Sequence, residues 1–261
     1  MELIDIGANL THESFAADLP DVLARASELG VAEIVITGAD REGNNRAQAL
    51  VTTPGMKLYA TAGNHPHYAS EYDDDLHAQI VGLANGGQVK AVGEAGLDYF
   101  RDLSPRADQL RCFEAQLQVA ADTGLPVFMH QRDAHDDFFA VMKAWRDKLS
   151  AAVVHCFTDT EKALDDYLSL DLHIGITGWI CDERRGTHLR DIVGRIPADR
   201  LMIETDSPYL LPRDFRPKPK SRRNEPMYLA HICETVAQCR GEAVEVTARS
   251  TAQTARRFFR L

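Results

Sequence analysis

Eight short apolar runs punctuate the chain: Leu3–Gly7, Glu33–Gly38, Leu58–Gly63, Val89–Glu94, Pro126–His130, Ala151–Cys156, His173–Thr177 and Leu201–Asp206. Most are continuous rather than alternating, the pattern of parallel strands covered on both faces. Amphipathic stretches with readable ends lie between them. Asp18-Leu19-Pro20 opens one helix, Val22, Leu23, Ala26 and Leu29 keep a helical spacing, and Gly30 closes it. Ser104-Pro105 opens a second as cap and first-turn proline; Leu110, Phe113, Leu117 and Ala120 form its apolar face and Gly124 ends it. Asp133 begins a third, with Phe138, Phe139, Met142 and Trp145 turned inward. Strands alternating with about eight helices, at about 30 residues per unit, predict an α/β fold: a single (β/α)8 TIM barrel spanning residues 1–261. A doubly wound sheet would need fewer strands or a second domain, and no linker or low-complexity tract divides the chain.

Composition narrows the setting. With 261 residues, 44% hydrophobic and 26% charged, the chain is globular and long enough to bury a core without disulfides or structural metal. Its cysteines (112, 156, 181, 233 and 239) lack CxxC spacing and read as free thiols of a reducing compartment. The opening MELIDIGANL has no basic n-region, so no secretory signal is expected. No apolar run approaches the ~20 residues of a membrane span. A cytoplasmic protein with no membrane partner is the expectation. The net charge of −10 argues against a bulk nucleic-acid coat but leaves room for a local basic patch.

The polar residues at strand ends carry the chemistry. VKAVGEAGLD delivers Glu94, PVFMH delivers His130, AAVVHCF delivers His155 and LMIETDSPYL delivers Asp206. In a barrel these four converge on the C-terminal rim, where barrel enzymes keep their active sites. Two imidazoles and two carboxylates suit Mg²⁺, Mn²⁺ or Zn²⁺. Such an ion acidifies water or polarises a phosphoryl oxygen, and a spare carboxylate takes the proton. A lone histidine after a strand is more often a hydrogen-bonded core residue; four such residues at matching positions favour a metal site. Gly63-Asn64-His65-Pro66-His67 reaches the same rim, with His65 a candidate substrate contact and His67 structural.

Beyond Asp206, the segment from Arg213 to Arg223 holds six basic residues and one acid, stiffened by alternating prolines. Such a run is usually a solvated face. Directly after a metal-ligand candidate it points to phosphate binding, with Arg222 and Arg223 the candidate contacts. Tyr99, Phe100, Phe157, Trp179 and Tyr209 follow strands and could stack unpaired bases.

GEAGLDY, PVFMHQRDAH, VVHCF, GITGWICDERRG and ETDSPYLLPRDFRPKPKSRRNEP together resemble the TatD family of metal-dependent deoxyribonucleases, over essentially the whole chain. The resemblance implies a TIM barrel and a Mg²⁺-dependent 3′→5′ exonuclease acting on single-stranded DNA or RNA, with a role in repair after oxidative damage. Carried over, Glu94, His130 and His155 match metal ligands, Asp206 matches a carboxylate that binds metal or activates water, and His65 matches a substrate contact. Glu94 and Asp206 are the catalytic candidates. Much of the family opens with a His-x-His pair where this chain has Gly7 and Asn9, so one tightly held ion is expected rather than two. The alternatives are an amide or ester hydrolase, such as an aminoacyl-tRNA deacylase, or a nucleic-acid-binding protein without catalysis. A monomer is expected.

Overall fold

The computed structural model describes residues 1–87 and 89–261. Each apolar run forms a strand: β1 (Leu3–Ala8), β2 (Val31–Ile36), β3 (Lys57–Ala62), β4 (Val89–Asp98), β5 (Val127–Arg132), β6 (Ala152–Val154), β7 (His173–Ile176) and β8 (Leu201–Ile203). They lie side by side in chain order, and every ladder is parallel. Helices α1 (Leu19–Glu28), α2 (Arg41–Leu50), α3 (Asp74–Asn85), α4 (Arg106–Thr123), α5 (His135–Trp145), α6 (Glu161–Ser169) and α7 (Thr187–Ile192) fill the crossovers, and α8 (Leu229–Arg240) and α9 (Val244–Phe259) follow β8. This is the (β/α)8 barrel that the pattern predicts.

The ring closes between β8 and β1 without a regular ladder. Asp206 N donates to Gly7 O (2.8 Å) and Asn9 N to Ser207 O (2.7 Å). One turn lower, the fully buried Asp5 carboxylate accepts from the Thr205 amide (2.9 Å) and hydroxyl. A side chain thus supplies the acceptor that a missing backbone carbonyl would otherwise provide.

Two element ends depart from the sequence pattern, and each departure places a polar group. β4 does not stop at Glu94 but runs on to Asp98, paired with β5 from Ala95↔Met129 to Asp98↔Arg132. Gly93 (φ 139°) and Gly96 (φ 145°) make this extension workable, because a Cβ at either would collide with the carbonyl of Phe128 or His130. β6 and β8 end earlier than expected, so His155 lies just past its strand and Asp206 three residues past, at φ 52°.

Helix starts also differ in detail. Asp18 precedes α1 without capping it, because its carboxylate is taken by Arg223. Ser104 does not cap α4; its hydroxyl donates to His67 O instead. α5 begins at His135, two residues after Asp133, and buries Phe138 and Met142 while Phe139 and Trp145 stay half-buried.

Buried apolar residues fall into two clusters. The larger one, including Leu3, Ile34, Val92, Val127 and Val154, packs strands against helices. The smaller one fills the barrel interior with Ile4, Ile6, Val35, Phe128, Val153 and Met202, sealed by Phe258 and Phe259 of α9. Strand residues alternate between the two, and that alternation builds the site above.

Candidate active site

Phe128, Val153 and Met202 point into the barrel. The residues two positions further along are His130, His155 and Glu204, which therefore share the interior one layer higher. Glu94 joins them from β4. Its Oε1 atom lies 3.1 Å from His130 Nδ1, 2.7 Å from His155 Nε2 and 3.4 Å from His65 Nε2. Asp206 borders the same cleft, its Oδ1 accepting from Asn9 Nδ2 at 2.9 Å. Glu94, His130, His155, Asp206 and His65 thus meet at the C-terminal rim, in a cleft of about 660 Å³.

Outer partners orient the rings. His130 Nε2 faces Asp98 Oδ2 at 3.1 Å, and His67 Nε2 shares that oxygen at 2.8 Å. His155 Nδ1 faces Glu204 Oε2 at 3.3 Å, and Glu204 Oε1 accepts from the Cys156 amide at 2.6 Å. With one nitrogen donating outward, His130 turns Nδ1 and His155 turns Nε2 toward Glu94 as lone pairs in the neutral rings. His65 has the opposite wiring. Its Nδ1 accepts from the His67 amide at 3.1 Å, so the neutral ring carries its proton on Nε2, facing Glu94. His65 is thereby set up as a donor rather than a ligand, although its nitrogen is as close to Glu94 and His130 as a ligand would be.

Electrostatics follow from burial and neighbours. Burial opposes charge on His155, but Glu94 and Glu204 outweigh it and raise its pKa well above the usual range. Burial likewise opposes charge on His130, and Asp98 and Glu94 raise it. His65 is dominated by burial and drops to about 4, so it is neutral. Burial works against ionised Glu94, yet His155, His65 and His130 hold it well below the carboxylate range. Asp206 is pushed up to about 7 by burial, against the pull of His155 and with Glu94 and Glu204 adding to the rise.

The donor set fits a divalent cation. Among the described residues Glu94, Asp98 and Glu204 have imidazoles as their only ion-pair partners, and Asp206 has an amide; neither lysine nor arginine offsets them. Buried carboxylates without a cation are costly, and a hard divalent ion on nitrogen and oxygen donors supplies the missing charge. Gly7 adds no donor, because a Cβ there would strike Glu204 Oε2. A second group, Cys181, Asp214 and His231, also brings donor atoms together. There Arg190 already lies 3.4 Å from Asp214, and His231 pairs with Asp214 at 2.7 Å, so the charges are met within the protein.

The basic segment is placed differently from the rim. Arg223 is committed to Asp18, Glu225 and the Ser14 carbonyl and does not line the cleft. Arg222 is exposed and also lies outside the lining. The strand-following aromatics divide as well. Phe157 is core, and Tyr99 is held by Asp137 (2.7 Å) and Arg106, whereas Phe100, Trp179 and Tyr209 border the cleft. Sequence reasoning missed Asp98 and Glu204. For Glu204 the signal was available: it stands two residues beyond the inward-facing Met202.

A parallel barrel with imidazoles and carboxylates gathered at its C-terminal rim is the arrangement of a metal-dependent hydrolase. Comparison with known proteins narrows the class. The family model described as TatD related DNase matches residues 4–260, and the chain belongs to that family. A protein of Erwinia billingiae named "3′-5′ ssDNA/RNA exonuclease TatD" is 49% identical over 259 residues, covering 99% of each chain. One of the same name from Dickeya dadantii is 50% identical over 258 residues, covering 99% of this chain and 98% of its own. Among solved structures, the TatD homolog YjjV of Escherichia coli K12 superposes with a TM-score of 0.91 at 27% identity, covering 99% of this chain and 98% of its own.

Proposed function

We propose that this chain is a divalent-metal-dependent exonuclease that shortens single-stranded DNA and RNA from the 3′ end. Mg²⁺ is the working ion in this reading, with Mn²⁺ or Zn²⁺ able to replace it. The observation that carries the proposal is the meeting of three imidazole nitrogens within 3.4 Å of one Glu94 oxygen, in a member of this family. Glu94, His130, His155 and Asp206 are the residues that would hold the ion. When bound there, it supplies positive charge to a phosphate oxygen and lowers the pKa of water.

The chain's own groups do the rest. Asp98 and Glu204 hold the rings of His130 and His155 in one tautomer and one orientation. Asp206 stands ready to take the proton of an attacking water, and Asn9 keeps its carboxylate turned into the cleft. His65 presents Nε2–H as a donor to a phosphate oxygen. Arg222 offers a distant phosphate contact outside the cleft, while Arg223 fixes the base of its loop. A monomer is the assembly state we infer. No helix among the described residues is long and apolar enough to cross a membrane. A cytoplasmic enzyme that trims damaged 3′ ends during repair is the setting we infer.

Single-stranded DNA labelled at one end or the other tests the reading. With Mg²⁺, a 3′ label should leave at once as a mononucleotide, and a 5′ label should report a descending ladder. Early loss of the 5′ label would refute the polarity. Release of an amino acid from charged transfer RNA without shortening would favour the deacylase. Binding without cleavage under any ion would leave a binding protein.

A further inference from the structure

One part of the cleft wall carries a stack that the proposed chemistry does not use. The Arg132 guanidinium lies 4.1 Å from the Phe100 ring centroid and 5.6 Å from that of Trp179. The Arg185 guanidinium lies 4.1 Å from the same Trp179 ring. All four residues line the cleft that holds Glu94 and His130. Two of their properties are not explained by packing. Phe100 is 54% exposed, and the aromatic side chains with the largest exposure among the described residues (Tyr68, Phe100 and Tyr209) all border this one cleft. Arg132, unlike Arg185 with its Asp182 partner, has no carboxylate within ion-pair distance among the described residues. It stands two residues beyond His130 on β5, held against aromatic faces with its charge unspent.

We propose that Phe100, Arg132 and Trp179 form the subsite for the nucleotide next to the scissile bond, Arg132 gripping its phosphate and Phe100 stacking its base. This rests on the nuclease reading above. A guanidinium already stacked on rings has little rotamer freedom left to lose and keeps its N–H edge free for a phosphate oxygen. An exposed ring accepts any unpaired base through its π-face, whereas a paired base stays within its own duplex. The subsite therefore selects single strands. It also places an arginine–phosphate contact on β5, inside the cleft, where the basic segment at 213–223 does not reach with Arg222 or Arg223.

Binding of fluorescein-labelled oligonucleotides with phosphorothioate linkages, which resist cleavage, tests the proposal on the metal-loaded protein. Arg132→Ala should weaken binding about tenfold or more and lower the slope of log affinity against log salt by about 0.7, the value of one lost single-strand phosphate contact. Phe100→Ala should weaken binding about 5- to 100-fold, and more for oligodeoxyadenylate than for oligothymidylate, since the larger base stacks over more area. On a cleavable strand both variants should raise KM more than they lower kcat. Lys57→Ala, which removes an exposed charge at the start of β3, controls for net charge and should change affinity less than twofold. Metal content measured in each variant separates a lost contact from a disturbed centre. Binding within twofold of the unmodified protein in both Arg132→Ala and Phe100→Ala would overturn the subsite while leaving the nuclease reading intact. Neither binding nor cleavage by the unmodified protein would overturn both.

Discussion

The two ends of the barrel grow from the same strands, yet they treat buried polar groups in opposite ways. At the N-terminal end the interior is apolar and α9 closes it with Phe258 and Phe259. The buried carboxylate there is met by a cation and a hydroxyl: Glu33 pairs with Arg256 at 2.7 Å and accepts from the Tyr59 hydroxyl at 3.1 Å. His173 sits against the Phe258 ring, 5.0 Å between centroids, and burial lowers its pKa to about 4. At the C-terminal end His155 is buried and His130 half-buried, and Asp98, Glu94 and Glu204 reverse the shift for these two, while His65 beside them still drops to about 4. Burial, helped by Arg200, lowers the His173 pKa, while carboxylates offset only by imidazoles leave negative charge that a cation can meet. One end holds the barrel together, and the other keeps an electrostatic deficit that binding can fill.

The comparison can be broken at either end. The largest expected effect lies at the rim: Asp206→Asn should lower kcat about 10²- to 10⁴-fold, the usual value of a positioned base, with the thermal unfolding midpoint nearly unchanged. Near-normal turnover would transfer the proton to another group. At the closed end Phe258→Ala should cost about 3–5 kcal/mol of unfolding free energy by chemical denaturation. A loss under 1 kcal/mol would mean that α9 is not the seal that it looks to be.

The histidines sharpen the contrast. His173 has a folded pKa of about 4 against about 6.5 in the unfolded chain. The unfolded state thus takes the proton first, and stability falls as pH drops from about 6.5 to about 4, then levels off. The loss should reach about 3 kcal/mol, at 1.36 kcal/mol per pKa unit. His173→Leu should flatten this part of the stability profile; an unchanged slope would place the titrating group elsewhere. The smallest effect belongs to the supporting carboxylates. Asp98→Asn and Glu204→Gln should each weaken metal affinity about 10- to 100-fold without removing a ligand, read by competition with a chelating dye. Unaltered affinity in both would deny them a part in orienting His130 and His155.

Most of the barrel was legible because a parallel strand covered on both faces leaves an apolar run, and eight such runs at even spacing admit few folds. Glu94, His130, His155 and Asp206 were legible because each follows an apolar stretch and so comes out near the rim, although β4 and β5 run on past Glu94 and His130. Asp98 stayed hidden because β4 reads as ending at Glu94, and only the close approach of Gly93 and Gly96 to β5 carries it further. Glu204 was overshadowed by Asp206, although the strand period points it inward. Arg223 could not be separated from Arg222 by sequence, since its commitment to Asp18 and Glu225 joins segments distant in the chain. Arg132 was masked by the more conspicuous run of basic residues after β8.

The central claim is that the group around Glu94 is a metal centre on which strand cleavage depends. It is tested most directly by measuring bound metal and cleavage together, in the unmodified protein and in Glu94→Gln, after stripping and after return of Mg²⁺, Mn²⁺ or Zn²⁺. The account predicts that stripped protein is inactive and that activity returns in step with at most one tightly held ion per chain. Glu94→Gln, though folded, should regain neither. Full cleavage in excess chelator, or a Glu94→Gln protein that keeps both its ion and its rate, would contradict the claim.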